Sequence, residues 1–420
     1  MQYIIVGAGP SGVIACETIR KLDQSAHITL ITGQKEPPYS RMAIPYYLEQ
    51  QITENGTYLR HNTDHFSDQN IIVISEPVSE VVTEDNTVLL SDGNKLVYDK
   101  LLLATGAKAI SPPIDGIDSD LVYNCWTLED ARNISEKAVP GSSLVLMGAG
   151  FIGCIILESL LKRGVKLTVV EMGDRMVPRM MDETAGGLLK SWCESRGVKI
   201  LTGEQVLSIR ESITETDSTH QQPLTVNLKN SASLPADLLI SATGVKANIG
   251  YLAGSAIALD QGILVNEFLQ TNIDNVYASG DAAQGLDFSD QSWHIQAIQP
   301  TAVEHGRIAA INMVQNNSCV HHGSINMNIL DTMGLISTSF GQWMGVEGGE
   351  ESIFLDKENY RYLNLQFKDD YLVGISSLGY TQNIGVVRGL IRGKVKLGIW
   401  KERLMNDPSR FMEAYLANVS

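Results

Sequence analysis

The sequence predicts an α/β protein with two parallel βαβ units and a smaller α+β region at its C-terminus. Three observations predict this fold. A short apolar strand, a glycine-rich turn and a helix follow one another at the N-terminus, and the same order returns near residue 148. The chain also has 420 residues, which is enough for about two to four domains with real cores.

Composition excludes several classes of function. The net charge of −16 argues against non-specific nucleic-acid binding, which needs a broad basic surface. Residues 3–6 follow Met1 with no basic leader, and no apolar run approaches the length of a membrane span. We therefore expect a cytoplasmic protein.

The five cysteines are scattered and form no CxxC pair, which favours reduced packing residues over a metal or redox site. They are Cys16, Cys125, Cys154, Cys193 and Cys319. We expect no bound metal, and the adjacent histidines at 321 and 322 do not change this expectation.

The first βαβ unit has the order that a dinucleotide site requires. A strand at residues 3–6 leads into GAGPSG at 7–12, a helix to about residue 22 and a second strand at 27–32. Gly7 permits the tight turn, Gly9 lets the backbone approach a pyrophosphate, and Gly12 lets the helix pack closely on the strand. The second strand ends at Thr32, where an acidic residue is usual, so a hydroxyl would replace a carboxylate beside the ribose.

The second unit repeats the pattern with the acid present. A strand at 144–147 precedes GAGFIG at 148–153, a helix to about 163 and a strand at 166–171. Gly148, Gly150 and Gly153 take the three glycine roles, and Glu171 follows Gly153 by 18 residues. A carboxylate there accepts bonds from the free 2′-hydroxyl of NADH and repels the 2′-phosphate of NADPH, so NADPH is disfavoured. The alternative is a charged strand end without a ligand.

Two such units in one chain indicate two nucleotides. A single dehydrogenase binds one nicotinamide, whereas a chain with two sites usually holds a flavin in one and a nicotinamide in the other. We therefore expect FAD and NADH as cofactors.

Four further segments support this expectation: LLLATGA at 101–107, LISATGV at 239–245, VYASGD at 276–281 and AVEHGR at 302–307. Together with the two units, they resemble the FAD-dependent pyridine nucleotide–disulfide oxidoreductase superfamily. The branch is the one with rubredoxin and ferredoxin reductases, NADH oxidases and the flavin portion of nitrite reductase. The resemblance implies two Rossmann-like, glutathione-reductase-type domains. FAD would occupy 1–113 with 246–318, NAD(H) 114–245, and a C-terminal interface domain 319–420.

The resemblance also implies roles for single residues. Asp281, after Gly280, would accept a hydrogen bond from the flavin ribityl chain, and Val78 would lie near the adenine. The chain would enter the NADH domain after Thr105 and Gly106 and return at Thr243 and Gly244. The helix starting near Thr301 and Ala302 would aim its N-terminus at the flavin, where negative charge develops on reduction.

The segment PYSRMAIPYY at 38–47 is the most diagnostic. In the NADH oxidase and coenzyme A–disulfide reductase branch, a similar stretch carries a redox cysteine, whose place Met42 takes here. A thioether cannot become a thiolate, so a cysteine relay is unavailable. Arg41 matches a pattern in which the guanidinium binds the FAD pyrophosphate; the alternative is a surface charge.

Two departures concern the nicotinamide. Related ferredoxin reductases often pair a lysine beside the flavin with an acid beyond the second glycine turn, and Tyr46 and Ile155 fill those places here. Either the nicotinamide is held differently or its site is vestigial. His294 is a weak catalytic candidate, because a histidine at such a position is more often structural.

The C-terminal region predicts strands near 335–340, 361–367 and 371–377, and a final amphipathic helix at 408–416. A basic strip precedes that helix, with six basic side chains against one acidic between Arg388 and Arg403, a net charge of +5. Its members are Arg388, Arg392, Lys394, Lys396, Lys401 and Arg403. The strip either steers an acidic electron carrier or pairs with acids of the same chain.

The leading interpretation is an FAD-dependent NAD(P)H oxidoreductase that passes electrons from NADH to a one-electron protein acceptor, such as a ferredoxin or rubredoxin. A second is an NADH oxidase or small-molecule reductase that uses the flavin directly. A third is a flavin subunit of a larger redox complex with a vestigial nicotinamide site. The assembly would be a homodimer or such a complex.

Overall fold

The computed structural model describes residues 1–211 and 222–419. These residues form two compact units. Unit 1 consists of Met1–Ala43, Ile52–Lys108 and Val245–Ile325, and unit 2 of Ile44–Gln51, Ala109–Gly244 and Asn326–Ser420. This division is coarser than the three domains expected from the sequence, which stay a prediction.

The strands are, in chain order, β1 Gln2–Val6, β2 His27–Thr32, β3 Ile71–Ser75, β4 Val78–Val82, β5 Thr87–Leu90, β6 Lys95–Val97, β7 Lys100–Leu103, β8 Ala107–Ala109, β9 Val122–Asn124, β10 Ser143–Met147, β11 Lys166–Glu171, β12 Lys199–Thr202, β13 Val206–Glu211, β14 Leu224–Leu228, β15 Leu234–Ala236, β16 Leu238–Ser241, β17 Val245–Ala247, β18 Ile263–Leu264, β19 Val276–Ala278, β20 Ala283–Leu286, β21 Trp293–His294, β22 Met327–Thr332, β23 Leu335–Gly341, β24 Glu350–Asp356, β25 Arg361–Lys368 and β26 Tyr371–Leu378.

The helices are α1 Pro10–Leu22, α2 Ile44–Leu48, α3 His65–Asp68, α4 Leu128–Lys137, α5 Phe151–Lys162, α6 Glu183–Glu194, α7 Gln299–Gln315, α8 Gly385–Arg392, α9 Ile399–Asn406 and α10 Phe411–Val419. Short 3-10 turns include Arg41–Ala43, Gly280–Ala282 and Pro408–Arg410. In the described ranges no helix combines the length and apolar character needed to cross a membrane.

Unit 1 is built on a parallel sheet in the order β19-β7-β1-β2-β3. Its central strand β1 pairs Ile4 with Thr29 on one side and with Leu101 on the other. The strands β1, β2 and β7 are buried along almost their whole length, which explains why they read as largely apolar runs in the sequence. The carboxyl ends of β1 and β7, and the 3-10 turn after β19, therefore meet at one edge of the sheet.

Unit 2 repeats this architecture and adds a second sheet. Its parallel sheet has the order β12-β11-β10-β16-β9, with Leu146 of β10 paired to Val169 and Ile240. The antiparallel sheet β22-β23-β26-β25-β24 forms the C-terminal α+β region together with α8, α9 and α10. The parallel-sheet order places β10 between β11 and β16, as β1 lies between β2 and β7 in unit 1.

The predicted α/β class and the predicted strands at 335–340, 361–367 and 371–377 are confirmed, within one residue at their ends. The two edge strands of this antiparallel sheet, β22 and β24, were not predicted from the sequence. β24 carries Glu350, Glu351 and Asp356, which hide the alternation of its apolar residues. The last helix begins with a 3-10 turn at Pro408 and continues to Val419.

Candidate functional site

The first glycine turn closes the end of β1. The Gly7 N–H donates to the Ile31 carbonyl at 2.8 Å, and Gly7 has φ +113°. A Cβ at this position would lie 2.1 Å from the Ala104 carbonyl oxygen. Only glycine permits both the backbone conformation and this close approach.

The next two glycines differ in their surroundings. A Cβ at Gly12 would lie 1.9 Å from the Gly7 oxygen, so Gly12 lets α1 pack against the turn. A Cβ at Gly9 would meet no atom within 4 Å, because Gly9 faces open space at the N-terminus of α1. Helix N-terminal amides that face open space form a cradle for a diphosphate.

The second glycine turn has the same geometry in unit 2. The Gly148 N–H donates to the Val170 carbonyl at 2.8 Å, and Gly148 has φ +104°. A Cβ at Gly148 would lie 2.6 Å from the Ala242 oxygen, and one at Gly153 would lie 2.2 Å from the Gly148 oxygen. Gly150, like Gly9, faces open space. The chain therefore has two glycine turns of matching backbone geometry, each with open space at the N-terminus of a helix.

Glu171 closes over the second turn. One carboxylate oxygen accepts the Ala149 N–H at 2.6 Å and the other accepts the Gly173 N–H at 2.7 Å. The residue is only 8% exposed. These two bonds fix the carboxylate beside the glycine turn, so its charge and remaining lone pairs have a defined position.

Thr32 stands at the equivalent position of unit 1, because Ile31 and Val170 bond to equivalent glycines. Its hydroxyl accepts the N–H of Gln34 at 3.2 Å. The strand end of unit 1 thus presents a neutral hydroxyl where unit 2 presents a carboxylate.

Asp281 lies in the 3-10 turn that follows β19, at the same sheet edge as the first glycine turn. It is half-buried, and burial raises the pKa of its carboxyl, while the positive charge of Arg41 lowers it. Gly280, immediately before it, has φ +67°. The charge of Arg41 thus acts on the Asp281 carboxyl.

Arg41 and Thr105 are both held by the backbone of unit 1. The Arg41 guanidinium donates to the Ala107 carbonyl at 3.2 Å. The Thr105 hydroxyl donates to the Asn248 carbonyl at 2.8 Å, which ties the outgoing chain to the returning chain. Gly106 has φ +65°, and a Cβ there would lie 3.8 Å from the guanidinium.

The helix at Ala302 begins earlier than expected. α7 starts at Gln299, with Pro300 in its first turn, whereas the sequence placed the start near residue 301. Proline fits there because the first helical N–H groups have no intrahelical acceptor. Ala302 is buried in the first turn of the helix, and the Ser40 hydroxyl holds Gln299 at 2.7 Å.

Val78 and Gly244 occupy defined but less informative positions. Val78 opens β4 and packs, partly buried, against the core of unit 1. Gly244 has φ +119°, and its carbonyl accepts the Ile110 N–H at 3.0 Å. A role for Val78 near the adenine stays a prediction.

His294 lies on the surface. Its side chain is 54% exposed and its ring Nε2 lies 3.3 Å from an Asp290 carboxylate oxygen. This is an ordinary surface ion-pair geometry, and no contact with the glycine turn or with Asp281 supports the weak catalytic assignment.

The cysteines are free thiols in the described chain, and four of them are buried. Burial raises the pKa of Cys125 and of Cys193 to about 12, and raises those of Cys16 and Cys154 as well. Met42 is 48% exposed in the 3-10 turn beside Arg41. Buried neutral thiols are poor nucleophiles, so none of these four cysteines is suited to a thiol relay.

Sequence reasoning missed two contacts that shape the first site. The hydroxyls of Ser11 and Ser279 lie 2.6 Å apart. A Cβ at Gly306 would lie 2.3 Å from the Ser11 carbonyl oxygen, so α7 packs closely on α1. For the close packing of α7 on α1, the available signal in the sequence was the spacing of Ala302 and Gly306, two small residues four apart in a helix.

These features fit the cofactors expected from the sequence. Each unit has a glycine turn with an open diphosphate cradle, and unit 1 adds a half-buried carboxylate and a guanidinium. No group of His, Cys, Asp and Glu in the described ranges is arranged to hold a metal ion.

Comparison with known proteins supports the same conclusion. Residues 1–306 match the family model described as pyridine nucleotide-disulphide oxidoreductase. The chain is 32% identical over 410 residues to the "NADH-dependent phenylglyoxylate dehydrogenase subunit epsilon" of Aromatoleum evansii, covering 97% of this chain and 95% of that one. It is 31% identical over 322 residues to an NADH oxidase of Methanocaldococcus jannaschii, covering 74% of this chain and 70% of that one.

A solved structure shows the same fold. The covalent putidaredoxin reductase–putidaredoxin complex superposes with a TM-score of 0.88 at 23% identity, covering 99% of this chain and 98% of that one. Two nucleotide cradles, the extent of the family match and relatives that use NADH agree with one another. The chain therefore belongs to the pyridine nucleotide–disulphide oxidoreductase family, as an FAD- and NADH-dependent oxidoreductase.

Proposed function

We propose that the protein passes electrons from NADH, through FAD, to a one-electron protein acceptor. The observation that carries this proposal is the pair of glycine turns in a chain with four buried cysteines, Cys16, Cys125, Cys154 and Cys193, and with Met42 where the family resemblance implies a redox cysteine. A flavoenzyme without a thiol relay must hand its electrons from the flavin to an external acceptor.

FAD would be held in unit 1. The amides of the first glycine turn would bind its diphosphate together with Arg41, and Asp281 would accept a hydrogen bond from the ribityl chain. Bound FAD supplies the exchange between two-electron and one-electron chemistry. The N-terminus of α7 would place its free N–H groups and positive dipole end where negative charge develops on reduction.

NADH would be held in unit 2. The glycine turn at 148–153 would bind its diphosphate, and Glu171 would accept hydrogen bonds from the adenosine ribose. The fixed charge of Glu171 would repel a 2′-phosphate, which supports NADH over NADPH.

The acceptor class is tested by steady-state kinetics. Purified holoenzyme would be supplied with NADH and, in turn, with a plant-type [2Fe–2S] ferredoxin, a rubredoxin and molecular oxygen. We expect a protein acceptor to be reduced faster than oxygen is consumed. Oxygen consumption that accounts for all NADH oxidised would instead support the oxidase interpretation.

We further propose that an acidic acceptor docks on the basic strip. Arg388, Arg392 and Lys396 are exposed and form no ion pair within the described residues, while Lys401 pairs with Glu350. Arg403 stacks on Trp400, with 4.6 Å between the guanidinium and the ring centre. Exposed cations in an otherwise acidic protein support electrostatic steering of an acidic partner.

Charge reversal tests this docking. Arg388→Glu and Lys396→Glu are each expected to lower kcat/KM for an acidic ferredoxin by about 5-fold to 10-fold at low salt, with a smaller loss at high salt. Ferricyanide reduction should not change. Lys166→Glu, at the opposite end of β11 from Glu171, is the matched control. An equal loss in the control would contradict docking on the strip.

A second candidate function is that of a permanent flavin subunit of a larger dehydrogenase. It is favoured by the relative from Aromatoleum evansii, which matches the chain almost end to end and is named a subunit. Its acceptor would then be an iron–sulfur subunit of the same complex rather than a diffusing carrier.

Purification from the native host distinguishes the two candidates. A permanent subunit should elute with stoichiometric iron-containing partners in a complex that survives high salt. A protein that elutes alone, near its chain mass of 45.9 kDa or a small multiple of it, would contradict the subunit assignment.

A further inference from the structure

A buried hydroxyl pair joins two distant parts of unit 1. Ser11 is 4% exposed and Ser279 is 1% exposed, and their Oγ atoms lie 2.6 Å apart. The two residues are separated by 268 positions in the chain. A short bond between two buried hydroxyls is directional and is shielded from competition by water.

The pair links the two halves of the proposed flavin site. Ser11 lies in the first turn of α1, directly after the glycine turn. Ser279 directly precedes Gly280 and Asp281, and its own N–H donates to the Leu103 carbonyl at 3.0 Å. Because the backbone of Ser279 is fixed in this way, its hydroxyl has a defined direction toward α1.

The contacts around this hydroxyl pair are made by glycines and other small residues. A Cβ at Gly280 would lie 3.5 Å from the Ser11 Cβ and 3.4 Å from the Ala302 Cβ, and one at Gly306 would overlap the Ser11 carbonyl. Glycines allow two backbone segments to approach closely, but they contribute no side-chain atoms that pack against each other. The hydroxyl pair therefore adds a directional bond between α1 and the segment that leads into the turn at Asp281.

We infer that Ser11 and Ser279 are positioning residues for the flavin, which hold Asp281 at a fixed place relative to the diphosphate cradle. This inference rests on the proposed FAD site. Neither hydroxyl needs to touch the cofactor, since both act through the elements that carry the cradle and Asp281. A purely structural pair would stabilise the fold without affecting cofactor affinity.

The test is FAD binding to Ser11→Ala, Ser279→Ala and the double variant. Each single change removes the bond that holds Asp281 relative to the glycine turn, so we expect the FAD dissociation constant to rise about 10-fold. The double variant should bind FAD no more weakly than either single one, because the same bond is already lost in each of them. The flavin midpoint potential, measured on the FAD-loaded variants, should also shift.

Ser352→Ala is the matched control. Ser352 is a buried serine of unit 2 whose hydroxyl donates to the Leu404 carbonyl at 2.8 Å. The Ser352→Ala variant should lower the urea midpoint of the apoprotein about as much as the single Ser11 and Ser279 variants do, without changing FAD affinity. Single variants with reduced urea midpoints but wild-type FAD affinity and potential would overturn the inference. A wild-type protein that holds no FAD would instead contradict the proposed function.

Discussion

The two glycine turns share one backbone geometry and differ at one side chain. Gly7 and Gly148 make the same 2.8 Å bond to the neighbouring strand, with φ +113° and +104°. The strand that receives this bond ends at Thr32 in unit 1 and at Glu171 in unit 2. The two turns thus share a glycine backbone, and they differ in the residue at the end of the second strand, to which we assign the choice of nucleotide.

The two turns also differ in the hydrogen bonding of the backbone N–H that follows the first glycine. The Ala149 N–H is taken by Glu171 at 2.6 Å, whereas the Ala8 N–H makes no hydrogen bond to the part of the chain that the structure describes. The first turn thus keeps an additional donor for a phosphate, and the strand beside it ends in a neutral threonine rather than in a carboxylate. We expect the first site to bind its diphosphate more tightly, which suits a resident FAD and an exchanging NADH.

The largest expected effect comes from the glycines that both turns require. Gly7→Ala forces a Cβ to 2.1 Å from a carbonyl oxygen at a positive φ. We expect it to cost at least about 3 kcal/mol of stability and to abolish FAD retention. Urea unfolding and bound-flavin absorbance measure the two effects.

Gly9→Ala is the control for this change, because its Cβ would meet nothing within 4 Å. It should fold normally and lose only FAD affinity, as Gly150→Ala should lose only NADH affinity. A stable, flavin-loaded Gly7→Ala variant would contradict the role given to the turn.

Glu171→Ala removes the difference between the two strand ends. The loss of a charged acceptor for the ribose is expected to raise the KM for NADH about 10-fold to 100-fold. The KM for NADPH should change less, because repulsion of the 2′-phosphate disappears at the same time. Steady-state kinetics with a dye acceptor measures the KM for NADH and the KM for NADPH. If the ratio of these two KM values does not change in the variant, the selective role of Glu171 is ruled out.

Asp281→Asn tests the carboxylate that unit 1 places beside its cradle. Because burial raises the pKa of Asp281, its ionised form destabilises the folded apoprotein relative to the unfolded chain. The variant should therefore be more stable than wild type at pH 7. The difference should shrink as the pH falls and vanish below about pH 4, where the aspartate is protonated in both states.

Urea unfolding of the apoprotein between pH 4 and pH 8 measures this trend. Glu80→Gln, which removes an exposed carboxylate of β4, should change stability by less than about 0.5 kcal/mol at every pH. A stability gain for Asp281→Asn that grows toward low pH would show that the sign is wrong.

The smallest effect is expected at Thr32. Thr32→Ala removes one neutral hydrogen bond to the Gln34 amide, worth about 1 kcal/mol. FAD affinity should fall by less than about 10-fold, measured by fluorescence of released flavin. If FAD affinity falls as much as the KM for NADH rises in Glu171→Ala, then Thr32 and Glu171 contribute equally to nucleotide binding.

The sequence predicted the features that depend on neighbours in the chain. The strand at His27–Thr32 and the strand at Lys166–Glu171 agree with the structure to the residue, because buried β-branched runs end at clear turns. The start of α7 was misplaced by about two residues, since no polar N-cap side chain marks it.

Features that depend on distant residues were not predictable. The Ser11–Ser279 pair joins positions 268 apart, and no local pattern distinguishes two such serines from others. The bonds from Glu171 to Ala149 and Gly173 likewise require the folded turn. Sequence reasoning identified the carboxylate and its expected ligand but not what holds it in place.

We infer that unit 1 holds FAD and that unit 2 delivers electrons to it from NADH. Anaerobic titration of the purified yellow protein with NADH, and separately with NADPH, tests both parts through the visible absorbance of the flavin. We expect bleaching at stoichiometric NADH and much weaker bleaching with NADPH. Bleaching by dithionite but by neither nucleotide would contradict the claim and leave unit 2 without a donor function.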